Sequence, residues 1–155
     1  MENFYKAYRL PVYGAVLHLV QGELSKDLRE RFEIEDEEFL AITTSNYGYN
    51  ETRGLPKLEC LMYFKYKPSV ITIGHESIHT ASNIFEIIGT DFDHDNHEPW
   101  TYFIDTIKGV VLTSGIEYTI FQDKEEEDSY KIYEIDLEEW QKAKQEGLEK
   151  STEKE

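Results

Sequence analysis

Cysteine is almost missing from this chain: one thiol, Cys60, stands among 155 residues. A lone cysteine cannot close an intramolecular disulfide, so a disulfide-stapled scaffold is excluded and a reducing, cytoplasmic setting is expected. Its position within LECLMYF makes it a core residue. Nowhere do 18 apolar residues follow one another, so no membrane span is expected. The start, MENFYKAYRL, has no long apolar stretch leading to a small-residue cleavage site, so no secretory leader is expected either. Positive charge is scarce: 16 Lys and Arg against 32 Asp and Glu leave a formal net of -16. That balance repels nucleic-acid backbones and anionic membranes, so neither is an expected direct partner. A surface that imitates DNA stays open as an alternative.

What is present reads as one ordered domain, residues 1–122, with an acidic extension over 123–155. The extension holds 13 acidic and 6 basic side chains, and the acidic excess of the rest shows that the bias is not confined to it. VYGAVLHLV (12–20), FLAITTSNYGY (39–49) and LECLMYFKY (58–66) read as strands, with a polar loop over 50–56. LSKDLRERF (24–32) has helical spacing of Leu24, Leu28 and Phe32. A longer helix is expected to begin near Pro68 or Ser69 and to be stopped by Gly89, and Gly74 within it invites a close approach by a strand or substrate. A further helix is expected from Asp95 or Asn96 to about Val111, then a short strand over 115–121. Glu125 to Asp128 reads as a solvated loop, YKIYEI as a strand, and DLEEWQKAKQEGLEK as a helix with a frayed end.

Chemistry concentrates in GHESIHTA. Histidines four apart on a helix, His75 and His79, share one face about one turn apart and can share a metal. Zinc suits a pair of neutral imidazoles, and Glu76 beside it can take a proton from bound water. Two histidines need a further protein ligand. Glu98, 19 residues after His79 and at the start of the next helix, is the best third ligand. His97 is its competitor, while His94 reads as part of a polar turn. His18, in an apolar strand, reads as a structural histidine. Nothing around Cys60 favours a cysteine nucleophile.

HESIH followed by NHEPWTY resembles the gluzincin branch of zinc metallopeptidases. KPSVITIGHESIH and NHEPWTYFID are also similar to small zincin-like proteins encoded by bacteriophages and prophages, over roughly residues 12 to 112. The resemblance implies His75, His79 and Glu98 as ligands and Glu76 as general base. It departs from larger gluzincins where His97 separates Asn96 from Glu98. A second departure puts Tyr102 where an orienting Asp is usual, leaving Asp105 as the substitute.

The expected architecture is therefore α+β and zincin-like: a small mixed sheet packed against the HExxH-bearing helix and a second ligand-bearing helix. The expected function is zinc-dependent hydrolysis of a peptide or protein substrate by metal-activated water, with His97, Tyr102 and Tyr118 as candidate oxyanion donors. A non-catalytic, zinc-stabilised protein-binding module and an acidic inhibitor or DNA mimic are the alternatives. The many aromatic residues read as core and interface packing.

Overall fold

Alternating apolar residues in four segments build one sheet, and helices cover both of its faces. A computed structural model describes residues 3–11, 14–35, 39–50, 55–91, 93, 95 and 97–152, the side chains of 47–50, 55–57 and 148–152 excepted. The strands are β1 (Phe4–Arg9), β2 (Val16–Gln21), β3 (Ala41–Asn50) and β4 (Leu55–Phe64), in the order β1-β2-β4-β3. β1 runs antiparallel to β2, β2 parallel to β4, and β4 antiparallel to β3. β2 and β4 are central and buried, which suits the β-branched and aliphatic runs VLHLV and LECLMYF.

Period-two alternation divides the side chains between two apolar clusters. Leu17, Leu19, Cys60, Met62 and Phe64 face α2 (Val70–Ile87) and α3 (His97–Thr113). Val20, Leu61 and Tyr63 face α1 (Lys26–Arg31) through Leu24, Leu28 and Phe32. Each such side chain, fully buried, contributes about 1.5–3 kcal/mol. On the α2 side, Gln21 clamps residues 116–117 to the sheet: its amide donates to Glu117 O at 2.7 Å, and its carbonyl accepts from Glu117 N at 3.0 Å.

Both signals expected at the ends of α2 are in place. Ser69 Oγ accepts from Thr72 N at 3.1 Å, and Gly89 leaves the helix at φ 72. The close approach expected at Gly74 is absent, because a Cβ built there meets nothing within 4 Å. β1 was not foreseen; its FYKAYR carries aromatics on both faces and is fixed by pairing with β2, not by its own pattern.

The chain divides into two compact units, Met1–Ile120 and Phe121–Glu155. Three expectations near the boundary fail. Residues 115–121 form no strand and contribute only the bridge Thr119↔Ser69. The acidic run forms α4 (Lys124–Lys131), where Asp123 caps Glu126 N at 2.8 Å and Glu125, Glu126 and Glu127 fill the first turn. Acid at a helix N-terminus is favoured by the helix dipole, which stabilises a helix where a loop was expected. YKIYEI is the end of α4 and the turn after it, and α5 (Leu137–Thr152) follows. No described side chain in α4 or α5 is buried.

The fold is thus α+β, with a four-stranded mixed sheet and five helices among the described residues. The zincin-like form of that expectation is not met: the two helices meant to supply ligands pack together, but their ligand residues form no metal site.

Candidate functional site

α2 packs between α3 on one flank and β3 on the other, and its own periodicity decides what each flank carries. Phe85 stacks on Trp100 with centroids 4.3 Å apart and meets Phe103 edge-on at 5.5 Å, so its flank faces α3. Glu76 precedes Phe85 by nine residues; at about 100° per residue that is half a turn, so Glu76 lies on the opposite flank. There it meets the sheet: the Thr43 hydroxyl on β3 donates to the Glu76 carboxylate. Glu76 is 7% exposed, and Thr80 Oγ1 donates to its carbonyl at 3.0 Å.

His75 and His79 lie on the solvent side of the Glu76 flank, and both are exposed. Their spacing brings the rings together as expected, at an Nε2–Nε2 distance of 3.0 Å, within hydrogen-bonding reach of each other. Glu98 does not join them. Its side chain is 69% exposed in the first turn of α3, 3.8 Å from His97 Nε2. The stacking of Trp100 on Phe85 sets the register of the helix pair and places Glu98 roughly 12 Å along the axis from His79, on the face of α3 turned away from α2.

Among the described residues, no group of three or more His, Cys, Asp or Glu is placed to hold a metal ion. Residues 94 and 96 lie outside the described set. The donor set does not fit zinc, and this corrects the metal assignment of His75, His79 and Glu98, the zinc cofactor and the general-base role of Glu76 on metal-bound water. The zinc hydrolase and the zinc-stabilised module fall with it, as do the oxyanion roles of His97, Tyr102 and Tyr118. No protein-family model, curated protein or solved structure matches the chain. The gluzincin and phage zincin-like resemblance therefore has no support beyond KPSVITIGHESIH and NHEPWTYFID and does not hold, and nothing among the described residues supports the acidic inhibitor or DNA mimic.

What remains is the outer edge of β3, the strand whose Thr43 bonds Glu76. The bond from Lys65 N to Leu40 O, 2.9 Å, fixes the phase of the β3–β4 ladder. In an antiparallel pair, residues alternate between bonding the partner and pointing away. Ile42, Thr44 and Asn46 therefore bond β4, and Ala41, Thr43 and Ser45 turn their N–H and C=O groups outward. Among the described residues, no strand pairs with that edge.

The two edges of the sheet differ in protection. β1 carries Lys6 and Arg9, whereas residues 39–50, FLAITTSNYGYN, include no charge and no proline. Charge and proline are the usual guards of an edge strand. The chain as a whole is acidic, and residues 70–113, which include α2, hold seven acidic side chains against Lys108 alone. Sequence patterning identified β3 as a strand but not as an edge, because strand order depends on pairings across the whole chain.

No described helix is long and apolar enough to cross a membrane. Cys60, buried on the helix-covered face of β4, has its thiol pushed up to about 12 by loss of solvent and by the neighbouring Glu59 charge. That makes it a packing residue.

Proposed function

We propose that this is a protein-binding domain that takes an extended, cationic peptide segment as a fifth strand along β3. The observation that carries the reading is the outer edge of β3, which carries no charge or proline and which no strand pairs among the described residues, with the backbone groups of Ala41, Thr43 and Ser45 directed outward. Strand addition draws affinity from main-chain hydrogen bonds and selectivity from alternate side chains. Glu76, bonded to Thr43, ties α2 to this strand, and His75 and His79 are exposed on the same helix. The net charge of -16 favours a cationic segment and disfavours a second copy of the chain. Nucleic acid is disfavoured on the same ground.

A fluorescent ten-residue peptide of alternating valine and lysine is the probe, with valine–glutamate and backbone N-methylated versions as controls. The lysine peptide is expected to bind, more weakly as salt rises, and the glutamate peptide is not. N-methylation on the edge-facing residues, or Ser45→Pro in the domain, should cut affinity by about tenfold or more, since each removes a donor from the new ladder. Proline at 45 removes an outward N–H and leaves the bonds to β4 in place. Binding unaffected by either change would sink strand addition; absence of binding by the lysine peptide would sink the reading as a whole.

A further inference from the structure

On the other face of the sheet, four elements assemble a chain of polar groups that peptide binding does not use. The Tyr5 hydroxyl on β1 lies 2.8 Å from His18 Nδ1 on β2, and His18 Nε2 lies 3.1 Å from Glu59 Oε1 on β4. Arg31 on α1 donates to the same carboxylate oxygen at 3.3 Å and to Asp27 at 3.0 Å. His18 and Glu59 are 5% and 6% exposed, whereas Tyr5 is 55% exposed. Phe32 packs edge-on against the imidazole, with centroids 5.8 Å apart.

The hydrogen-bonding capacity of each group sets the direction of the chain. Glu59 Oε1 accepts from Arg31 and faces His18 Nε2, which makes Nε2 the donor to it. In that tautomer Nδ1 is the acceptor, and Tyr5 donates to it. A hydroxyl on a base, with the base oriented by a buried acid, is the arrangement that activates a nucleophile. Of Tyr5, His18 and Glu59, only the tyrosine reaches solvent.

We propose that Tyr5 is an acyl-accepting nucleophile, armed by His18 and oriented through Glu59. Tyr5 Oη attacks the carbonyl carbon of an activated acyl donor, an ester or acyl-imidazole, and the O–C bond forms. His18 Nδ1 takes the phenolic proton, the bond from carbonyl carbon to leaving group breaks, and His18 returns the proton to the departing group. The product is an O-acyl tyrosine. His18 and Glu59 are positioning and proton-handling groups, and Tyr5 makes the bond.

The test uses the full chain and N-acetylimidazole, with acetylation at each tyrosine followed by peptide mass spectrometry. Tyr102 and Tyr133, 70% and 75% exposed, are internal references because exposure alone would make them react faster. Tyr5 is expected to acetylate roughly tenfold faster or more. Glu59→Gln and His18→Gln should bring it down to the reference rates, with folding checked by circular dichroism. A Tyr5 rate at or below that of Tyr133 in the unaltered protein overturns the proposal, and this comparison needs no variant. A fast Tyr5 that stays fast in a folded Glu59→Gln or His18→Gln chain also overturns it.

Discussion

Thr43 joins β3 to α2 through its hydroxyl, which reaches both the carboxylate and the backbone carbonyl of Glu76, and the cost of losing the carboxylate bond is asymmetric. Thr43→Val removes the donor while the Glu76 carboxylate stays 7% exposed. An unsatisfied buried acceptor costs about 1–3 kcal/mol, which urea unfolding should show as a lower midpoint with unchanged slope. Cys60 gives a second residue-scale prediction. Its folded thiol is raised from 9.0 to about 12, so the folded state holds a proton that the unfolded state loses above pH 9. Stability from this group is therefore full below pH 9 and declines as pH rises toward 12. A thiol reagent at pH 8 should leave the native protein unlabelled and label one site in denaturant; fast native labelling would contradict the burial. At this scale the sequence was readable wherever spacing alone decides geometry. His75 and His79 are adjacent because an i,i+4 pair on a helix must be. The third ligand was not readable, since the position of Glu98 depends on how α3 seats against α2, and the Phe85–Trp100 stack sets that.

Among the elements, α2 is the one on which both the core and the proposed ligand edge depend. Phe85 anchors it to α3 and is 1% exposed. Phe85→Ala should cost about 3–5 kcal/mol by emptying the space between the helices, measured as a lower thermal and urea midpoint. A loss under about 1 kcal/mol would mean that the two helices do not pack as described. The ends of α2 were legible because Ser69 and Gly89 are local signals. β1 and α4 were not: β1 is stabilised by a partner elsewhere in the chain, and α4 by capping at Asp123 in a run whose composition suggests a loop. The strand alternation in YKIYEI was overridden by the helix that precedes it.

For the whole molecule, both apolar clusters draw on residues 4 to 116, so the first unit holds the entire described core. A chain ending at Ile120 should keep a single cooperative transition, with stability within about 1 kcal/mol of the full chain. Loss of that transition would show that residues 121–155 complete the fold. The central claim, that β3 receives an added strand, is tested most directly by amide hydrogen exchange with and without the valine–lysine peptide. Ile42, Thr44 and Asn46 already bond β4 and should be slow in both states. Ala41, Thr43 and Ser45 should exchange fast alone and slow together on binding. Bound peptide with those three amides unchanged would contradict the account.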